Sequence, residues 1–281
     1  TGKALDMLGS LAEDSPEDYV KFWEAYGGYL KEGVAVEQDQ PEKLFPLLRF
    51  HTDQDLQGWS SLDNYLDRAG QEQEKIYYFL GDDPAAVRYS PHMDAFRKAN
   101  IEVLVLTEQV DPFMLMQLKA YQDHPFSNIA DADLPEADEA EAEESKKPGL
   151  DKDTVSGLIE RVKAVLGERV GDVQTTKRLV DSPARLVDPE GAPEQSVQRV
   201  YQMMDKTFEL PKKVLELNPH HPIVVGLAEL PEGDKRFRLI TEQIYENTLL
   251  IEGLHPDPVS MVGRIQDLIS SALEKKSESS E

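Results

Sequence analysis

Apolar positions repeat at helical spacing in the last part of the chain, from Phe237 to Lys276. The repeat predicts two amphipathic helices that are separated by a break at Gly253 to Pro258. Asp257 is a suitable N-cap for the second helix, because its carboxylate can accept hydrogen bonds from amides of the first turn. Two such helices cannot cover their apolar stripes alone, so the stripes pack on their own domain or on a second copy of the chain. The residues assigned to that dimer interface are Ile240, Ile244, Ile251, Val259, Val262, Ile265, Ile269 and Leu273.

The pattern permits such a dimer without requiring it. If half of these side chains were buried between two chains at roughly 100 Å² each, the hydrophobic gain would be on the order of 10 kcal/mol. Association costs a comparable amount, about 4–15 kcal/mol.

Residues 1–130 combine helical stripes with two continuous apolar strands. The strands are predicted at Ile76–Leu80 and Val103–Leu106, with helices after each of them, from Ser90 to Lys98 and from Asp111 to about Tyr121. Unbroken apolar strands that alternate with helices are typical of a small parallel αβα layer.

The same part of the chain opens with helices. One is predicted to begin after Ser15 and to run into Gly27-Gly28, and a second helical piece extends from Pro41 to Phe50. Their aromatic and leucine stripes are typical of core packing.

Eight acidic residues and no basic residue lie between Asp131 and Glu144, which predicts a solvated linker over residues 131–150.

The second domain, 151–276, begins with a helix from Asp151 to Leu166. Two strands, Val170–Leu179 and Ala184–Val187, are predicted to pair through a turn at Asp181-Ser182-Pro183. A helix from Pro193 to Phe208 and a strand at Val214–Leu217 follow, and residues 277–281 are predicted to form a disordered tail. The predicted fold class is therefore α+β or α/β, with a mixed α/β second domain that ends in a helical dimerisation bundle.

Composition and charge restrict the classes of partner that the chain is expected to bind and its cellular location. A formal net charge of −24 disfavours binding to the phosphate backbone of nucleic acids. No apolar stretch is long enough to predict a membrane span, so no membrane partner is expected. The absence of cysteine fits a reducing, cytoplasmic location. The start, Thr1-Gly2-Lys3, suggests a piece of a longer protein.

The sequence contains none of the common catalytic, phosphate-binding or metal-binding motifs. No glycine-rich phosphate loop and no Gly-x-Ser-x-Gly elbow is present, and the six histidines show no metal-binding spacing. We therefore predict no catalytic residue, no cofactor site and no metal site in this chain.

Two segments are unusually rich in methionine and aromatic residues. Each is either ordinary core or an adaptable binding face, because methionine is flexible and polarizable and fits irregular partners. The members of the candidate binding face are Phe113, Met114, Met116, Val200, Tyr201, Met203, Met204 and Phe208.

Several ordered motifs resemble the heat-shock protein 90 family of molecular chaperones, in particular its bacterial high-temperature protein G type. The resemblance covers nearly the whole chain outside the acidic linker and the last residues. The motifs that carry it in the first domain are Tyr19-x-x-Phe22-Trp23-x-x-Tyr26, Leu47-Leu48-Arg49-Phe50, Ser61-Leu62-x-x-Tyr65, Gln73-x-x-Ile76-Tyr77-Tyr78 and Ser90-Pro91. Those in the second domain are Arg161-Val162-Lys163, Arg178-Leu179-x-Asp181-Ser182-Pro183-Ala184 and Leu217-Asn218-Pro219-x-His221-Pro222.

The resemblance implies the client-binding and dimerisation portion of a stress-response chaperone that assists protein folding. Residues 1–130 would be the end of the family's middle domain, and the C-terminal helices of two copies would form a homodimer. The Asp111 and Gln195 segments would contact partly folded client proteins in a cleft between the protomers. Phe113 stands where the bacterial form carries a tryptophan. ATP and Mg²⁺ would bind the full-length parent only, so this chain would not be an enzyme.

Two other functions remain open at this point. The chain could be a structural dimerisation module without a client site, in which case all apolar faces would be internal. It could also be a fragment of a nucleotide-binding enzyme, although no phosphate loop follows Leu80 or Leu106.

Overall fold

The computed structural model describes residues 2–36, 41–70, 72–132, 149–205 and 208–278, with side chains up to Leu273. These residues form two compact units. The first takes its residues from Thr1–Arg88, Phe96–Ala132 and Pro193–Leu210, and the second from Tyr89–Ala95, Asp133–Ala192 and Pro211–Glu281. Most of the predicted acidic linker lies outside the described residues.

The described helices and strands are as follows. The helices are α1 (Gly2–Asp14), α2 (Pro16–Val36), α3 (Leu62–Arg68), α4 (Met93–Lys98), α5 (Asp111–Leu115), α6 (Lys152–Leu166), α7 (Gln195–Met204), α8 (Pro222–Glu229), α9 (Lys235–Ile251) and α10 (Met261–Glu278). The strands are β1 (His51–Thr52), β2 (Ile76–Leu80), β3 (Leu104–Leu106), β4 (Ala120–Tyr121), β5 (His124–Asn128), β6 (Asp172–Thr175), β7 (Ala184–Val187) and β8 (Val214–Leu217).

The first unit contains a five-stranded sheet in the order β1-β3-β2-β5-β4. Strand β2 pairs in parallel with both β3 and β5, and the edge strands β1 and β4 pair antiparallel with their neighbours. Every residue of β2 and β3 is buried, as expected for strands that are covered on both faces. The predicted parallel strands are therefore present, within a sheet that is mixed.

The second unit contains a three-stranded sheet in the order β6-β8-β7. Leu215 and Leu217 of β8 face a core that also receives Leu158 and Val162 from α6 and Phe237 from α9. Helices α6 and α9 thus cover this sheet with their apolar stripes.

The predicted hairpin between β6 and β7 is wrong, because β8 lies between the two strands and pairs with both. The connection at residues 179–182 is instead held by Asn218, whose side-chain amide donates to the carbonyl oxygens of Leu179, Val180 and Ser182. A contact that is distant in the sequence therefore replaces the local turn.

The predicted helix from Asp111 to Tyr121 is too long. Helix α5 ends at Leu115, and Tyr121 pairs with His124 in the β4–β5 hairpin. The two turn residues, Gln122 and Asp123, have φ values of 46° and 68°, the left-handed conformation that tight hairpins favour. Sheet pairing therefore overrides the helical pattern.

Three other boundaries differ from the prediction. Helix α2 continues through Gly27-Gly28 to Val36, and the region from Pro41 to Phe50 contains only short 3-10 turns. Helix α10 extends to Glu278, two residues into the predicted tail.

The predicted fold class is confirmed at the level of a mixed α/β protein with two small mixed sheets. None of the described helices combines the length and the apolar character that a bilayer crossing requires.

Candidate functional site

The two methionine-rich segments are brought together in the first unit, where α7 packs against α5. This placement differs from the prediction, which assigned the Gln195 segment to the second domain. Two stretches that lie about 80 residues apart in the sequence thus pack side by side in one unit. We call their exposed and half-buried members, Phe113, Met116, Tyr201, Met203, Met204 and Phe208, the α5/α7 surface.

Large apolar side chains on the α5/α7 surface reach the solvent. Met204 is 75% exposed, and Met116, Tyr201 and Met203 are each exposed by more than two fifths. The ring of Tyr201 stacks on that of Phe208 with their centroids 5.3 Å apart. The surface therefore combines flexible methionines with a fixed aromatic pair, a composition that suits irregular apolar partners.

Two predicted members of the binding face point into the core. Met114 has no solvent exposure and Val200 is 6% exposed. Their side chains pack against the interior of the unit, so they support the α5/α7 surface from below and are not available to a ligand.

Helix α7 is fixed to the first unit by polar contacts on its inner side. Asn128 Nδ2 donates to Gln195 Oε1 (2.7 Å), and Arg199 Nη1 donates to Asp82 Oδ1 (2.6 Å). Burial raises the pKa of the Tyr78 hydroxyl, which is hydrogen-bonded to Ser196. These contacts turn Tyr201 and Met204 away from the unit.

Helix α5 is fixed by a buried ion pair. Lys31 Nζ of α2 lies 2.8 Å from Asp111 Oδ1 and 2.8 Å from Glu108 Oε1, and the backbone N–H of Glu108 donates to Asp111 Oδ2 (2.9 Å). Burial raises the pKa of the Asp111 carboxyl, although the charge of Lys31 lowers it. The first turn of α5 is thereby attached to the core at a defined point.

The second candidate surface is the helical hairpin of α9 and α10 in the second unit. Val259, which lies in the 3-10 turn that leads into α10, is 77% exposed, and the remaining members of its apolar stripe are also exposed. We call these five residues, Val259, Val262, Ile265, Ile269 and Leu273, the α10 stripe.

The predicted interface residues of α9 have a different environment. Ile244 is buried in the core of the second unit and Ile240 packs against that core, while Ile251 is half-buried. Ile244 is therefore unavailable to a second chain, because α9 uses this side of its stripe to cover its own sheet.

A charged cluster joins α10 to α9. Arg264 Nη1 donates to Glu242 Oε2 (3.1 Å), Arg264 Nη2 donates to Glu246, and Arg264 Nε donates to Gln243 Oε1 (3.3 Å). Burial by itself would raise the pKa of Glu242, but hydrogen bonds from Arg238 and Arg264 bring it below its ordinary value. Sequence reasoning missed this cluster, although an arginine inside an apolar helical repeat is a usable signal.

Among the described residues, no group of three or more His, Asp or Glu side chains converges on a point where a metal ion could bind. The buried histidine His92 pairs with Glu252 (3.0 Å), and His255 pairs with Glu246 (3.3 Å). What the arrangement offers is two exposed apolar surfaces held on rigid supports.

Comparison with known proteins places the chain in a family. The sequence profile of the Hsp90 protein family matches residues 1–281. The chain is 36% identical over 281 residues to the chaperone protein HtpG of Oleidesulfovibrio alaskensis, covering 96% of this chain and 44% of that protein. It is 38% identical over 276 residues to HtpG of Dechloromonas aromatica (96% and 42%) and 35% identical over 274 residues to HtpG of Myxococcus xanthus (95% and 41%).

The chain thus spans about two fifths of the length of the curated relatives that it matches. The match includes both units and both candidate surfaces. This chain belongs to the Hsp90 protein family.

Proposed function

We propose that this chain supplies the client-binding and dimerisation surfaces of an Hsp90-type molecular chaperone that assists protein folding in the cytoplasm. The α5/α7 surface would contact partly folded proteins, and the α10 stripe would pair with a second copy. ATP binding and turnover would belong to the full-length parent. No nucleic acid or membrane partner is proposed.

The observation that carries the client-binding role is the exposure of large apolar side chains on two packed helices. Burying such a side chain typically yields about 1.5–3 kcal/mol, so several weak contacts suffice to hold a partly folded chain. A purely structural module would gain nothing from leaving Met204 and Tyr201 in water. Methionines also adapt to clients of different shape, which a folding assistant requires.

The proposal is tested with a double substitution, Phe113→Ala with Met204→Glu. Removal of an aromatic anchor and introduction of a charge should weaken client binding about tenfold or more, which corresponds to about 1.4 kcal/mol. The probe is a fluorescently labelled, permanently unfolded variant of a small domain, and the measurement is fluorescence anisotropy. The variant should keep the oligomeric state of the parent in sedimentation.

A matched control is available on the same unit. Met7→Glu with Tyr29→Ala makes the same kinds of change at an exposed methionine of α1 and an exposed aromatic residue of α2. This control should retain the affinity of the unmodified chain. Equal loss in both variants, or no loss in either, would remove the α5/α7 surface as the client site.

A further inference from the structure

The rotation of α5 about its own axis is not determined by hydrophobicity. Its core segment, Phe113-Met114-Leu115-Met116, places four consecutive large apolar side chains at about 100° intervals, so they surround the helix. Each would gain a similar free energy on burial. Several rotations of this short helix would therefore bury comparable apolar area.

The structure nevertheless selects one rotation. Met114, Leu115 and Leu118 are buried, whereas Met116 is exposed and Phe113 is half-buried. The α5/α7 surface exists only in this arrangement, because another rotation would exchange Met116 for Met114.

A directional contact distinguishes this arrangement from the others. Asp111 is fully buried and Lys31 is 3% exposed, and their charged atoms lie 2.8 Å apart. The second oxygen of Asp111 accepts a hydrogen bond from the N–H of Glu108, so each carboxylate oxygen has one close polar neighbour. Lys31 Nζ also lies 5.4 Å from the centroid of the Phe50 ring, which limits the positions that the ammonium group can take. Any rotation of α5 would pull a buried carboxylate away from its cation.

Stability alone does not explain this pair. Two charges in a protein core lose their hydration, and well-packed apolar residues in their place are often at least as stable. The raised pKa of Asp111 reflects the same cost of burial. Buried polar contacts of this kind can instead specify one packing arrangement among several of similar energy.

We propose that Lys31 and Asp111 are positioning residues for the α5/α7 surface, and that their ion pair sets the rotation of α5 so that Phe113 and Met116 face the client. The inference rests on the proposed function for its client, but the rotation can be measured without any client.

The test replaces the pair with apolar residues, Lys31→Met with Asp111→Leu. The chain has seven methionines, so methyl-labelled methionine gives a spectrum simple enough for Met114 and Met116 to be assigned by single Met→Leu substitutions. A soluble paramagnetic probe should attenuate Met116 and spare Met114 in the unmodified chain. In the double variant we expect split or shifted signals for both methyl groups, and about tenfold weaker client binding.

A matched control is the buried pair of Arg185 and Glu216 in the second unit, whose Nε and Oε2 atoms lie 2.6 Å apart. Arg185→Met with Glu216→Leu should leave both methionine signals and the client affinity unchanged. Lys31→Arg, which keeps the charge, should retain most of the affinity. If Lys31→Met with Asp111→Leu fails to fold, Lys31→Met with Asp111→Asn replaces it, since asparagine can still accept the hydrogen bond from Glu108.

The outcomes separate the inference from the proposed function. Unchanged exposure of Met114 and Met116 in the double variant would overturn the inference, even if client binding fell. Altered methionine signals with unchanged client affinity would also overturn it, because the rotation would then not matter for the client. Failure of the unmodified chain to bind any unfolded probe would instead refute the proposed function.

Discussion

Gly27 lies in the middle of α2, directly beneath the indole ring of Trp23. A Cβ atom at this position would come within 2.7 Å of two atoms of the ring, closer than packed carbon atoms approach. Trp23 is 3% exposed and its ring meets that of Trp59 edge-on, so the indole cannot move freely. The neighbouring Gly28 has no atom within 4 Å of such a Cβ. Two adjacent glycines therefore have different roles.

We predict opposite effects of alanine at these positions. Gly27→Ala should lower the free energy of unfolding by about 1–3 kcal/mol, because it overpacks a filled site. Gly28→Ala should raise it by up to about 1 kcal/mol, because alanine is the better helix former. Urea unfolding followed by tryptophan fluorescence measures the free energy of unfolding of both variants. Equal effects of the two substitutions would show that the indole relaxes without cost.

The residue scale also shows which side chains of the candidate sites are exposed. Met204 and Met114 have the same chemistry and both lie in apolar helical segments, yet one is exposed and the other buried. Ile244 and Ile269 differ in the same way. Whether a side chain is buried depends on which other elements pack around it. A local sequence pattern does not contain that information.

Helix α10 is attached to its unit along only one side. Met261, Arg264 and Leu268 are buried or half-buried, and at about 100° per residue their direction differs by about 110° from that of the four stripe residues that lie within the helix. Met261 is the only buried residue among the described side chains of this helix. The hydrogen bonds of Arg264 to α9 therefore contribute much of what orients the stripe.

We predict that Arg264→Met loosens α10. Loss of charge-assisted hydrogen bonds, each worth about 1.5–3 kcal/mol, should speed amide hydrogen exchange in α10 by about tenfold or more. Arg238→Met is the matched control, because Arg238 also donates to Glu242 (3.1 Å) but lies on α9 itself and is mostly exposed. It should leave exchange in α10 unchanged. Equal protection in the two variants would mean that apolar contacts alone hold the helix.

The same cluster predicts the direction of the pH dependence. The pKa of Glu242 is lower in the folded chain than its ordinary value of 4.5. Its ionised form therefore stabilises the fold above about pH 4.5, and this contribution is lost as the pH falls through the lower folded pKa. The protection of α10 amides against hydrogen exchange should decrease in that acidic range. The decrease should be weaker in Arg264→Met.

The chain as a whole carries a net charge of −24 and exposes an apolar stripe of five residues. A symmetric dimer through the α10 stripe would bury each substituted residue twice, once on each chain. It would also bring together two strongly acidic chains, whose repulsion is screened by salt.

We predict that Ile269→Asp disrupts the dimer. An unpaired carboxylate in an apolar interface is costly, and two of them per dimer should raise the dissociation constant by about 100-fold or more. Sedimentation equilibrium at micromolar concentration measures this dissociation constant. For the unmodified chain, the dimer should become tighter as ionic strength rises.

The control is Ile223→Asp on α8, which introduces the same charge at another exposed isoleucine of the second unit (48% exposed, against 56% for Ile269). Its dissociation constant should match that of the unmodified chain. A monomeric unmodified chain, or equal weakening by both substitutions, would contradict dimerisation through the α10 stripe.

Family, fold class and the apolar repeats were accessible from the sequence by itself, because each depends on residue types at short spacing. The strand at Ile76–Leu80, the helix that begins after Asp151 and the N-cap at Asp257 follow from local rules, and the structure contains all three. Only the tertiary structure decided the position of β8 between β6 and β7, the pairing of β2 with β5, and the packing of α7 against α5. These features depend on contacts between residues far apart in the chain, which compete with local preference and prevail where they bury more apolar surface. For the same reason, the sequence could name the apolar faces but could not tell which of them point outward.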